Sequence, residues 1–109
     1  MALGMIECYG FSTAIVVADA ASKAAAVDIV ALDKNKPANA DAVPVPLVMV
    51  VKMEGSVAAV EAGMEAGIAE AKKRDLFITS KIIARQAPEM EWFARLDATG
   101  KDKLRNTKK

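Results

Sequence analysis

The 109-residue sequence contains no histidine and only one cysteine, Cys8. Without imidazole there can be no Ser-His-Asp or Cys-His catalytic set and no imidazole metal site. A lone cysteine cannot close an internal disulfide, which suits a reducing cytosol. With no histidine to take its proton, Cys8 reads as a small buried hydrophobe rather than a nucleophile. Aromatic residues make up 5% of the chain, so the core must come from Val, Ile, Leu and Met. No apolar run approaches the roughly 18 residues of a membrane span. The N-terminus lacks the basic region and apolar core of a signal peptide. Neither sign of charge dominates: 15 basic residues face 14 acidic ones, a net charge of +1. Nucleic acid as the main partner needs a clear basic excess, so it is not expected. GxGxxG and P-loop motifs are absent. The length suits one compact domain with a modest core.

The strongest pattern present is Gly55 to Lys73, GSVAAVEAGMEAGIAEAKK. Val57, Val60, Met64 and Ile68 recur at helical spacing as one apolar stripe. Ala59, Gly63, Ala66 and Gly67 form a second stripe of small residues, which lets the helix backbone lie close to a sheet or another helix. Each interior Gly costs ~1 kcal/mol of helix propensity, so such positions need a packing reason. The preceding LVMVVKM reads as a strand. An offset of 45 positions brings Gly10 onto Gly55, Ala14 onto Ala59, Ile15 onto Val60, Ala18 onto Gly63, Ala21 onto Ala66 and Ala24 onto Ala69. The strand-like ALGMIEC before Gly10 repeats the order of elements too. Two strand–helix units, each followed by another strand, form the split β-α-β pattern of a ferredoxin-like α+β domain.

In chain order, Leu3, Met5 and Glu7 share one face of the first strand, and Gly4, Ile6 and Cys8 the other. Ser12 or Thr13 is placed to cap a helix running to about Ala25, with Lys23 in its last turn, favourable against the helix dipole. Val27 to Leu32 reads as a short buried strand. Asp33 to Pro46, DKNKPANADAVPVP, holds three of the four prolines, which excludes a helix or a central strand. A loop of this length in a small domain is a candidate functional segment. Leu47 to Met53 is the third strand, Ser56 caps the second helix, and Lys72, Lys73 and Arg74 bring positive charge to its end. Glu61 and Glu65 sit on the polar side of that helix as a solvated face. Asp75 turns the chain into a fourth strand, FITSKIIAR, with Arg85 at its end. Pro88 opens an amphipathic segment in which Met90, Trp92 or Phe93, and Leu96 can dock. From Asp97 the chain is polar and basic, and reads as a mobile, solubilising tail after a domain spanning 1–96.

Several of these stretches resemble the bacterial microcompartment (BMC) shell domain. Ala2-Leu3-Gly4-Met5-Ile6-Glu7 is similar to the family's A-L-G-x-[IV]-E. Gly10 follows, and Ala18-Asp19-Ala20 through Lys23-Ala24-Ala25 matches A-D-A-x-x-K-A-A. Gly55-Ser56-Val57-Ala58-Ala59-Val60, with Ala62-Gly63 and Ala66-Gly67, is similar to G-D-V-x-A-V…A-x-x-A-G, and Ile82-Ile83-Ala84-Arg85 sits where the family has V-I-P-R-P. The likeness runs from about Ala2 to Leu96. It implies the BMC variant of the ferredoxin-like fold in its unpermuted order: a four-stranded antiparallel sheet, two main helices on one face and a short C-terminal helix. It also implies a structural, non-enzymatic shell protein of the cytoplasmic microcompartment. Its partners would be itself as a homohexamer tiled laterally, other shell proteins and the encapsulated enzymes, with no membrane or nucleic acid.

By that resemblance Lys23 and Arg85 are the hexamer–hexamer edge residues, with backbone carbonyls expected around Lys23. The family's short glycine–serine turn at the pore is replaced here by a longer stretch from Asn35 to Pro46. Asn35, Lys36, Pro37, Asn39 and Asp41 thereby become the pore-loop candidates. Gln86-Ala87 follows Arg85 where the family has Pro-His, so the edge contact differs in detail. Some relatives hold an iron–sulfur cluster on a loop cysteine. This loop has none, so no metal or cofactor is expected. The alternative reading is a small ferredoxin-like regulator binding a ligand between subunits, and Lys23 with Arg85 discriminates the two.

Overall fold

Alternation along Ala2–Tyr9 (β1) sends Ile6 and Cys8 into a buried apolar cluster while Met5 and Glu7 stay half-exposed on the other face. The computed structural model describes residues 1–35 and 47–97. Its further elements are α1 (Phe11–Ala24), β2 (Asp28–Asn35), β3 (Val48–Gly55), α2 (Val57–Lys73), β4 (Phe77–Ile83), a 3-10 turn (Pro88–Met90) and α3 (Glu91–Ala94). The strands form one sheet in the order β2-β3-β1-β4, antiparallel at every neighbouring pair. This is the expected ferredoxin-like arrangement in unpermuted order.

α1 and α2 pack side by side on one face of the sheet. Val17, Val60, Met64, Met49, Val51 and Met53 fill the space between them and the strands. The predicted small residues do separate work. An added Cβ on Gly67 would stand 2.7 Å from Ile6 Cδ1 and 3.2 Å from Val17 Cγ1. Gly67 is therefore where α2, α1 and β1 come closest together. Gly4 is the matching gap in β1, under Val60 and Met64. Val57, assigned to the apolar stripe, is instead exposed, and Gly63, Gly67 and Ala71 complete the buried face.

The internal repeat is real in architecture but offset by 46 positions rather than 45. Ala2 and Val48 open β1 and β3, Gly10 and Ser56 cap the helices, and Phe11 and Val57 open α1 and α2. At an offset of 45, Ile15, 44% exposed, would correspond to Val60, which is fully buried. The letter matches come from two alanine-rich helices, whereas the burial phase is set by what each helix packs on.

Three local expectations change. α1 is capped by Gly10, with no side-chain cap bond from Ser12 or Thr13. Gly10 has φ 93°, a region open to glycine at little cost, and its N–H donates to the Leu47 carbonyl at 2.8 Å. β2 extends beyond Leu32: Asp33, Lys34 and Asn35 pair with Val50, Met49 and Val48. β4 ends at Ile83, leaving Ala84 and Arg85 beyond the ladder. The cap expected at Ser56 and the turn expected at Asp75 are present. The Ser56 hydroxyl accepts from the Ala59 N–H at 3.1 Å, and Asp75 takes the left-handed conformation at φ 58°.

Candidate functional site

The register gives the sheet two distinct ends. At one, Asn35 pairs with Val48 and Val48 with Tyr9, so the segment 36–46 and the start of α1 leave from the same edge. At the other, Asp28, Glu54, Leu3 and Ile83 lie in one row. Arg85 follows that row directly, and the last turn of α1, with Lys23, leads into it through Val27. Lys23 and Arg85 thus share the end of the domain opposite to Asn35, with Lys23 on the β2 side and Arg85 on the β4 side. Both are exposed. The Lys23 ammonium lies 2.7 Å from Asp19 Oδ2, and that hydrogen bond and charge raise its pKa above the usual lysine value. Of the pore-loop candidates, Asn35 is the last residue of β2. Lys36, Pro37, Asn39 and Asp41 lie outside the described residues.

The face of the sheet away from α1 and α2 is half covered by the segment after β4, and two charged residues of β3 hold that cover in place. Lys52 is 1% exposed. Its ammonium donates to the Phe93 carbonyl at 2.8 Å and the Leu96 carbonyl at 3.2 Å, lies 3.4 Å from Asp33 Oδ2 and stands 4.1 Å from the centre of the Phe93 ring. Two residues on, Glu54 is 3% exposed. It accepts from Gln86 Nε2 and, at 3.0 Å, from Arg95 Nη1. A buried charge is tolerable only when it is paired and hydrogen-bonded, and both are. Phe93 and Leu96 are half-buried in the docked segment as expected, and Ala94 fully buried. Trp92 and Met90 point to solvent.

This pair was not singled out from the sequence, although a signal was there. In a strand otherwise made of Val and Met, Lys52 and Glu54 fall on the same face by alternation, and two charges in a central strand require partners. Those partners lie 41 and 44 residues further along for Lys52, beyond the reach of local pattern.

The half of this face that no other described segment covers forms an open cavity of about 640 Å³ next to the Asn35 end. Met5, Val50, Phe93 and Leu96 supply its apolar surface, and Glu7, Thr79 and Lys81 stand among them. Glu7 is half-buried at a register shift between β1 and β4 and makes no hydrogen bond or ion pair among the described residues.

Cys8, Glu61 and Glu65 take the structural places that the sequence assigns them. Cys8 is fully buried, and desolvation, helped by the Glu7 charge, pushes its thiol up to about 11. Glu61 and Glu65 are exposed. Among the described residues no group of His, Cys, Asp or Glu is arranged to hold a metal, and no helix is long and apolar enough to cross a membrane.

A single βαββαβ sheet with both helices on one face and a short C-terminal helix is the architecture expected from the motifs; that the C-terminal segment is fastened over the other face is seen only in the structure. The BMC domain family model matches residues 2–86, and the chain belongs to that family. It is 35% identical over 83 residues to the bacterial microcompartment shell protein PduK of Citrobacter freundii, covering 76% of this chain and 48% of that protein. It is 38% identical over 73 residues to the carboxysome shell protein CcmK3 of a Halothece species, covering 67% and 63%. A solved microcompartment protein from Desulfitobacterium hafniense superposes with a TM-score of 0.66 at 27% identity, over 84% of this chain and 47% of that one. The chain therefore spans about half to two-thirds of the length of these relatives.

Proposed function

We propose that this chain is a structural shell protein of a bacterial microcompartment, forming cyclic hexamers that tile into shell facets inside the cytoplasm. The observation that carries the reading is the two-ended sheet. One end bears the loop segment that follows Asn35, and the opposite end bears Lys23 and Arg85. A tile needs such a polarity: one end of each wedge meets the symmetry axis and the other meets the next tile. In this reading Asn35, Lys36, Pro37, Asn39 and Asp41 line the axial pore for small polar metabolites, in place of a short turn. Lys23 and Arg85 form the edge between hexamers. The protein works without cofactor or catalysis, beside other shell proteins and around enclosed enzymes.

The test is the solution mass by light scattering, followed by electron microscopy of the concentrated protein. Six subunits and flat sheets or tubes are expected. A dimer or trimer that never tiles would sink the shell reading and leave a ligand-binding regulator of the same fold.

A further inference from the structure

From Ile83 to Met90 every residue is exposed except Gln86, which is buried. Arg85 stands immediately before it, beyond the end of β4. Gln86 is fixed from two sides. Its N–H donates to the Met1 carbonyl at 3.2 Å, so the chain rejoins the start of β1 after leaving the ladder at Ile83. Its side-chain amide donates to Glu54 Oε2 on the inner strand β3. The other oxygen of that carboxylate accepts from Arg95 Nη1 at 3.0 Å. One buried carboxylate therefore ties the segment down at residue 86 and again at residue 95.

Gln86 is a poor choice for stability alone. Its Oε1 is buried and has no hydrogen-bond partner among the described residues. A buried acceptor left without a donor lowers stability, and in a native structure it asks for a reason. Methionine would fill the same space without that loss. What an apolar side chain cannot do is hold the backbone beside Arg85 at one fixed point. Apolar burial is non-directional, whereas a hydrogen bond to a charged group sets both distance and direction.

We propose that Gln86 is the positioning residue for Arg85: clamped between Met1 and Glu54, it sets the point from which the exposed arginine reaches the next tile. The inference rests on the shell-tile reading above and gives Arg85 its anchor. Arg95 belongs to the same clamp, because it holds the Glu54 carboxylate from the far end of the segment. The seating of α3 and the placing of Arg85 thus share one carboxylate.

The test is the protein concentration left in solution after sheets are pelleted, for the wild type, Gln86→Met, Arg85→Lys and the double variant. Gln86→Met keeps the side-chain length and leaves Glu54 paired with Arg95. Arg85→Lys keeps the charge but loses the planar fork. Each single variant should raise the soluble concentration about tenfold, the scale of one charge-assisted hydrogen bond, with the light-scattering mass unchanged. The double variant should also stay at about tenfold, because both changes act through one arginine; independent contributions would multiply to about a hundredfold. Gly67→Ala, which overpacks the core at Ile6, should pellet like the wild type. Gln86→Asn, whose amide stops one methylene short of Glu54, takes the place of Gln86→Met if that variant does not fold. A wild-type value in either single variant, a multiplicative double variant, or an equal rise in Gly67→Ala overturns the positioning role and leaves the shell reading standing. A wild type that never forms sheets overturns the tile reading and this inference with it.

Discussion

Lys52 on the third strand donates to the carbonyl of Phe93 at 2.8 Å while lying 4.1 Å above the ring of the same residue. One ammonium thus holds both the backbone and the side chain of the C-terminal cover. Lys52→Met keeps the aliphatic stem but removes the ammonium that donates to the Phe93 and Leu96 carbonyls and pairs with the Asp33 carboxylate. Breaking a buried charge network from one side costs about 3 kcal/mol. Urea denaturation should show a loss of that size, and amide exchange of residues 88–96 should rise well before that of β1 and β3. An unchanged midpoint would show that the cover is held by apolar packing instead.

Gly67 and Gly63 both face inward from α2, yet they differ in room. A Cβ at 67 would press on Ile6 Cδ1 at 2.7 Å, whereas at 63 the nearest atoms are Met53 Sδ and Val27 Cγ1 at 3.3 Å. Ile6 and Met53 are both fully buried, but 2.7 Å demands a real displacement with Val17 Cγ1 also only 3.2 Å away, whereas 3.3 Å asks a few tenths of an ångström of a flexible methionine. Overpacking costs roughly 1–3 kcal/mol, against ~1 kcal/mol gained from helix propensity. Gly67→Ala should therefore lower stability and Gly63→Ala should be close to neutral. Thermal melts of the two variants check the order.

Burial places the Cys8 thiol at about 11, above its ordinary 9.0. The neutral form is the one the fold favours, so this group's contribution is complete below pH 9 and is lost as pH rises towards 11. At pH 8 the native thiol should resist an aromatic disulfide reagent, and in denaturant it should react at once. Fast labelling of the folded protein would show that β1 opens far more readily than its packing implies.

Lys23 is exposed and, among the described residues, is paired with Asp19. In the shell-tile reading proposed above, Lys23→Ala should leave the melting temperature and the solution mass as they are, and abolish extended sheets in electron micrographs. Loss of the hexamer itself would remove Lys23 from the contact between tiles.

Elements whose signal is local were legible in the sequence. α2 follows from its apolar spacing and the Ser56 cap, the strands from alternation and β-branched runs, and the turn at Asp75 from residue type. The family followed because short motifs occur in the right order. The errors were of another kind. The stretch Asp33 to Asn35 reads as loop because charged and amide residues follow the apolar run, yet it pairs with β3. An edge strand tolerates polar side chains once its backbone has a ladder to join. The cap of α1 passed to Gly10 because the chain must turn sharply out of β1 while still reaching Leu47.

Sequence alone determined the order of elements, the absence of imidazole chemistry and the faces each helix and strand can bury, because these depend on periodicity and residue type. Only the tertiary structure decided that the two halves repeat at 46 positions, that Lys52 and Glu54 are buried anchors, and that Lys23 and Arg85 share the end away from Asn35. Those facts depend on which residues distant in the chain meet across the sheet. Sheet register and long-range partners are set by the packing of the whole domain, and no window of neighbouring residues contains them.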